Sequence, residues 1–281
     1  MKTLTLTPSV LQHLEKLGKP LGQLFVEGTD EDLLALPRVA VVGSRKPTPY
    51  GIQVTEKLCG ELARAGVVII SGLAFGVDIT AHKACLGVGG KTIAVLPSGL
   101  ENIYPASHGR IAKDITHTGL LVSEYGPTHV PRSYDFLSRN RLIAGLSDFV
   151  IVTEATIQSG SLNTAQHAKA MGIPVGAVPG PITNQLSAGA HSLIQGGAHL
   201  ITSAQDVLDI LKVRKKPPAE VLVGATEVET AILQALEKNT TDVTGLALQT
   251  GIDAQELLIA LTMLEIHQRI QQDTIGNWHL L

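Results

Sequence analysis

Arg139, Asn140 and Arg141 stand together in the stretch Tyr134-Asp135-Phe136-Leu137-Ser138-Arg139-Asn140-Arg141, with Arg132 just ahead of it. Guanidinium groups hold anions through fixed forks of N–H donors, and aromatic faces stack flat rings without regard to their substituents. The chain is poor in aromatics (Trp 1, Tyr 4, Phe 4), yet Tyr125, Tyr134 and Phe136 share one short segment with three arginines. That pattern fits contact with an anion and a base from one rigid element. Arg139 and Arg141 are two apart on a helical pattern and cannot share a face, so one contacts ligand while the other braces the fold. Periodicity does not say which.

Two glycine-containing turns carry the same chemistry. Val42-Gly43-Ser44-Arg45-Lys46 follows a β-branched run, with Thr48 and Pro49 placed as N-cap and first residue of the next helix. Gly43 permits close backbone approach, and Arg45 adds charge where free helical N–H groups favour an anion. Ser159-Gly160-Ser161 opens another helix after Phe149–Val152, and its hydroxyls either cap that helix or help hold a phosphate. A dinucleotide fingerprint would need Gly-x-Gly-x-x-Gly at the first turn and an acidic residue closing the second strand, where Ser71-Gly72 stands. No NAD, FAD or other cofactor is expected. The ten histidines are dispersed, and no metal site or nucleophile-base pair is expected either. His82 reads as a hydrogen-bonded packing histidine, and Asp78 as a helix cap.

The elements that must position these groups follow from the apolar runs. Val39–Val42, Val67–Ile70, Thr92–Leu96, Leu120–Ser123, Phe149–Val152, Val175–Val178 and His199–Ile201 lack alternation, and each of the first six is followed by a loop and a helix-period segment. Unalternating strands are buried on both faces, which predicts an α/β fold with an extended, Rossmann-like, doubly wound, mostly parallel sheet. Ligands then bind beyond the carboxyl ends of the strands. Residues 1–36 read as a lead-in packed on this core, with a helix from Ser9 to Gly18 and a strand at Gln23–Val26. Residues 37–211 read as the Rossmann-like domain, and 212–221 as a basic, proline-broken linker. Residues 222–281 read as a small C-terminal winged-helix domain: helices at Glu227–Glu237, Asp242–Thr250 and Asp253–Gln268, then strands at Arg269–Gln272 and Trp278–Leu280 around a turn at Asp273.

Composition sets the outer bounds. With 281 residues, 44% hydrophobic, the chain is long enough for one large domain and one small one. Residues 219–281 hold two basic side chains against nine acidic ones, a net −7, which leaves a net +4 for residues 1–218. Cys59 and Cys85 lie in apolar helical patterns, so a disulfide scaffold is not indicated. No secretion leader and no membrane span are expected, and the cytoplasm is the expected compartment.

Taken in order, Val41-Val42-Gly43-Ser44-Arg45, Ser71-Gly72-Leu73-Ala74-Phe75-Gly76-Val77-Asp78, Thr92–Leu96, Tyr104-Pro105, Ser123-Glu124-Tyr125, Phe136 with Arg139-Asn140-Arg141, Ser159-Gly160-Ser161-Leu162 and Pro179-Gly180 closely resemble the bacterial DprA (Smf) family. The resemblance spans about residues 20–211. It implies a non-enzymatic, homodimeric, single-stranded DNA-binding protein that protects incoming DNA in natural transformation and loads the RecA recombinase onto it. By the same resemblance, the DNA pocket falls on Gly43, Ser44, Arg45, Arg132, Phe136, Arg139, Asn140, Arg141, Ser159, Gly160 and Ser161. A dimer is also suggested by the apolar segment Leu193-Ile194 with Ala198, Leu200 and Ile201.

Departures from the family pattern touch loop geometry: Pro97 replaces a usual glycine, Leu137 a usual proline, and His108 and His191 usual asparagines. The expected recognition helix, Asp253 to Glu265, carries no Lys or Arg, so it is expected to serve protein contact instead of reading a duplex. Two rivals remain. A phosphoribohydrolase-like enzyme would need a carboxylate where Thr164 stands, and a winged-helix transcription regulator would need a basic third helix.

Overall fold

The computed structural model describes residues 2–3, 8–16, 23–28, 31–213, 224–237, 242–267, 269–272 and 276–280. The expected helix end at Gly18, the linker from 214 onward, Gln268 and the turn at 273–275 lie outside the described residues. The chain divides into two compact units, Met1–Arg214 and Lys215–Leu281.

The first unit begins with β1 (Lys2–Thr3), α1 (Pro8–Glu15) and β2 (Phe25–Gly28). Strands and helices then alternate: β3 (Arg38–Val42), α2 (Pro49–Arg64), β4 (Val68–Ser71), α3 (Val77–Leu86), β5 (Thr92–Leu96), α4 (Gly109–Thr118) and β6 (Leu120–Ser123). They continue through α5 (Ser133–Gly145), β7 (Phe149–Val152), α6 (Gly160–Met171), β8 (Val175–Ala177), α7 (Ala188–Gln195), β9 (His199–Leu200) and α8 (Ala204–Ile210). The sheet order is β1-β2-β6-β5-β4-β3-β7-β8-β9. Strands β6 through β9 in that order pair in parallel, while β2 joins β6 antiparallel. The expected doubly wound sheet therefore gains an antiparallel edge from the lead-in.

Strand side chains alternate between two cores. Ala40, Val42, Val68, Ile70, Val150 and Val152 pack with Leu142, Ile143, Ala165 and Met171 of α5 and α6. Val39, Val41, Ile69, Phe149 and Ile151 face Leu58, Leu62, Ala81 and Val207 of α2, α3 and α8. Both faces of the sheet are covered, which is why the runs lack polar alternation. Strand order reverses between β3 and β7, so the loops after these two strands diverge and leave a crevice at their carboxyl ends.

Of the segment expected to mark a dimer surface, Leu193, Ala198 and Ile201 are buried in the cores and Ile194 packs half-buried against one of them. Only Leu200, on edge strand β9, presents an exposed side chain.

In the second unit, α9 (Glu227–Glu237), α10 (Val243–Thr250) and α11 (Ala254–Ile266) precede an antiparallel pair, β10 (Ile270–Gln272) and β11 (Trp278–Leu280). Ile232, Leu233, Leu246, Leu257, Leu261 and Trp278 form its core. Gly251 ends α10 in the left-handed region at φ 70°, which lets the chain turn directly into α11. This is a winged helix-turn-helix. Among the described residues, no helix is long and apolar enough to cross a membrane.

Candidate nucleic-acid interface

The β3–α2 loop is held from beneath by Glu154, at the end of β7. Its backbone oxygen accepts the Ser44 N–H (2.6 Å), and its carboxylate accepts both the Thr48 N–H (2.8 Å) and the Thr48 hydroxyl (2.6 Å). Thr48 caps α2 and Pro49 is its first residue, as expected. The anion at that helix N-terminus, however, is the chain's own carboxylate, so α2 is not open to a ligand phosphate there. Gly43 also serves the interior: a Cβ on it would stand 2.6 Å from Val77 Cγ2 and 2.9 Å from Glu154 O. What the loop offers outward is Arg45, which is exposed. Glu154→Ala leaves the half-buried Thr48 N–H and hydroxyl without their acceptor and is expected to cost about 1–2 kcal/mol in urea denaturation. Glu154→Gln, which keeps one acceptor, is expected to recover most of it, and equal losses for the two would contradict this role.

Helix α5 brings the second set. Asp135 anchors its start, accepting the Arg132 N–H (2.7 Å) and His129 Nε2 (2.8 Å). Burial pushes the Asp135 carboxyl up, but these bonds outweigh it and hold it below the ordinary carboxylate value. The next residue, Phe136, lines the crevice, and the Arg45 guanidinium lies 5.3 Å from its ring centroid.

Arg139 and Arg141 are both buried and both brace the fold, and of the two only Arg139 also reaches the crevice. Arg139 is 4% exposed and forms part of the crevice wall, donating to the Gly72 carbonyl (2.8 Å) and the Val95 carbonyl. Burial lowers its guanidinium to about 10, against the pull of Asp78, so it remains charged at neutral pH. Arg141 is 3% exposed, pairs with the Glu124 carboxylate and does not line the crevice. Arg132 also stands outside the crevice, exposed and donating to the Tyr134 hydroxyl (3.1 Å). The set expected as one pocket thus divides, with Ser44, Arg132 and Arg141 off its lining.

The third wall is the start of α6. Ser159 caps it, its hydroxyl accepting the Ser161 N–H (3.3 Å) and sitting 2.7 Å from the Ser161 hydroxyl. Asn140 donates to the Gly160 carbonyl (3.2 Å) and so ties α5 to α6. Gly160 is exposed, with nothing within 4 Å of where a Cβ would stand, so unlike α2 this helix start faces open space. Gly43, Arg45, Phe136, Arg139, Asn140, Ser159, Gly160 and Ser161 together line a crevice of about 190 Å³. Asp78 is the one carboxylate among its lining residues. It caps no helix: its Oδ2 accepts the Gly72 (3.1 Å) and Ala74 (3.4 Å) N–H groups and shapes the β4–α3 loop. Burial raises this carboxyl from its ordinary value, and Arg139 opposes the rise. Its lining offers two guanidinium groups, one aromatic ring and the start of α6.

Sequence reasoning assigned no role to Phe75 and Tyr104. Both are exposed beside Phe136, and Tyr104 meets it edge-on at 5.3 Å between ring centroids. The available signal was an aromatic in each of two loops that follow parallel strands, in a chain with so few.

Residues 6–212 match the family model described as DNA recombination-mediator protein A, and residues 215–274 match the DprA winged helix domain. The DNA processing protein DprA of Streptococcus pneumoniae is 49% identical over 185 residues, 66% of this chain and 65% of that protein. The putative DNA processing protein DprA of Mycobacterium tuberculosis is 36% identical over 257 residues, 89% of this chain and 66% of that protein. The chain thus spans just under two thirds of the length of these two relatives. The solved structure of DNA processing protein A from Helicobacter pylori, described in terms of its single-stranded DNA binding mode, superposes with TM-score 0.67 at 37% identity, covering 75% of this chain and 95% of that one. Over both of its units, the chain belongs to the DprA family of DNA recombination mediators.

Proposed function

We propose that this chain binds single-stranded DNA in the crevice at the β3–β7 switch point and acts as a recombination mediator in natural transformation, loading RecA on the strand it holds. The observation that carries the reading is the adjacency of exposed Arg45, over the half-buried Phe136 ring, to the open start of α6: a cation and a stacking face for one nucleotide beside a helix N-terminus for a phosphate. The single-stranded DNA binding mode described for the Helicobacter pylori relative supports it. RecA loading and a homodimeric state rest on family membership. An exposed Leu200 on edge strand β9 is compatible with pairing of two copies.

Within the second unit, α11 turns Gln255, Ile259, Thr262 and Ile266 outward along with Glu256 and Glu265, and presents no Lys or Arg to a phosphate backbone. We read it as a protein-contact surface. Duplex binding through it would meet like-charge repulsion.

The test is fluorescence anisotropy of the full chain with labelled oligo-dT and a matched duplex across a salt series. Single strands are expected to bind more tightly. Arg45→Ala is expected to weaken them several-fold and to reduce the log–log salt slope by about 0.7, the value for one phosphate contact on a single strand. Tighter duplex binding, or an unchanged slope, would sink the reading.

A further inference from the structure

Phe136 lines two hollows. One is the crevice already described. The other is a smaller hollow of about 30 Å³ lined also by Arg45, Phe75, Tyr104, Pro105 and Arg139. We infer that this second hollow is a base-stacking subsite, in which Phe75 and Tyr104 receive the unpaired nucleobase next to the nucleotide held at Phe136. The inference rests on the single-strand reading and names two residues beyond it.

Three observations carry it. First, Phe75 is 49% and Tyr104 47% exposed, in a chain with only four Phe and four Tyr. Half-exposed aromatic rings side by side are a binding surface awaiting a flat apolar partner.

Second, the loop presenting Phe75 is held rigidly at some cost. Leu73 sits in the left-handed region at φ 55° with its side chain fully buried. Asp78 clasps the loop on one side, and His108 donates from Nδ1 to the Leu73 carbonyl (2.8 Å) on the other. The Phe75 ring then rests edge-on against His108, at 4.8 Å between centroids. Gly76 adopts φ 76°, and a Cβ there would stand 2.3 Å from the Ser44 carbonyl, so the loops of Phe75 and Arg45 pack directly together. A fold that needed only to close β4 onto α3 would have no reason to brace an apolar ring into solvent.

Third, the two hollows share Arg45, Ala74, Phe136 and Arg139. Arg45 can therefore face the phosphate that links the nucleotide at Phe136 to the next one. The chemistry selects an unpaired base, because a base inside a duplex has both faces stacked on its neighbours and none free for Phe75 or Tyr104. Stacking reads the π-face alone, so the subsite takes any base.

The experiment compares oligo-dT with a strand of equal length and charge whose residues are abasic, using the full chain and the variants Phe75→Ala, Tyr104→Ala and Phe75→Trp. Phe75→Ala is expected to weaken oligo-dT about tenfold, within the range for loss of one stacked base, while abasic-strand affinity and the salt slope stay unchanged. Phe75→Trp is expected to retain wild-type affinity, and its fluorescence to be quenched by oligo-dT but not by the abasic strand. Trp278, the sole natural tryptophan, lies in the second unit and gives a constant background. Wild-type affinity in Phe75→Ala, or an equal loss for both strands, would overturn the subsite while leaving the Arg45 salt result standing. A changed oligomeric state with unchanged DNA affinity would make the patch an interface between copies and overturn it as well. Failure of the wild type to prefer single strands would instead remove the parent reading.

Discussion

Arg139→Ala is expected to destabilise the first unit by about 3–5 kcal/mol, the usual cost of removing one partner from a buried charged network. The guanidinium closes three accounts at once. It satisfies the Gly72 and Val95 carbonyls at the ends of β4 and β5, and it lies near the Asp78 carboxylate, which is itself only 7% exposed. Truncation leaves two buried acceptors unpaired, a buried carboxylate without its counter-charge, and a void under the crevice. Both carbonyls are held by the one Nη1 nitrogen, so Arg139→Lys, which keeps the charge and a single terminal nitrogen on a shorter reach, is expected to cost less than half as much. The measurement is urea denaturation followed by far-UV circular dichroism, because Trp278 reports the second unit only. If Arg139→Ala unfolds at the wild-type midpoint, the wall of the crevice is not held this way. Because its Nη1 and Nε donors are engaged inside the protein, Arg139→Lys is also expected to leave single-strand affinity within about threefold of wild type.

This prediction marks where the sequence stopped being readable. The parallel sheet was legible because a strand covered on both faces has no polar alternation, and six of the seven expected runs are buried throughout; the seventh, at His199–Leu200, is an exposed edge strand. Their loops could then be placed at one edge without further information. The site was legible as far as residue types went: Arg45, Phe136 and Ser159–Ser161 meet where expected. Burial was not, because it is decided by elements far away in sequence. Arg139 and Arg141 look equivalent on a helix. What separates them is that one turns toward carbonyls of β4 and β5 and the other toward Glu124, 17 residues back. Glu154 likewise reads as a polar strand end, and only the β3–β7 pairing places it under the N-terminus of α2. Phe75 and Tyr104 gain their meaning from lying next to Phe136, a consequence of strand order that no local spacing encodes.

The acid limb of stability is expected to be dominated by one silent histidine. His82 is fully buried in α3, and its Nδ1 lies 2.7 Å from the Thr92 hydroxyl. That hydroxyl spends its proton on the Ile69 carbonyl (2.7 Å), so it must accept from His82, which fixes the Nδ1–H tautomer. Nε2 is left buried without a partner. Protonating it would place a charge in the core. Burial, reinforced by Arg139 and His108, accordingly depresses the imidazole from 6.5 to about 3. Below pH 6.5 the unfolded chain takes up this proton and the folded chain does not, so stability falls as pH drops from 6.5 towards 3 and levels off beneath that. At about 1.4 kcal/mol per pH unit, the whole window is worth roughly 4–5 kcal/mol. His82→Gln keeps a donor for Thr92 but cannot titrate. It is expected to be less stable than wild type at pH 7, to lose that disadvantage on acidification, and to be the more stable of the two by about pH 4. Carboxylates and the other histidines contribute to both proteins, so the difference between the two urea-midpoint curves isolates His82. Curves that stay parallel from pH 7 to pH 4 would mean that the imidazole is charged in the folded state, and that Nε2 has found a partner on protonation.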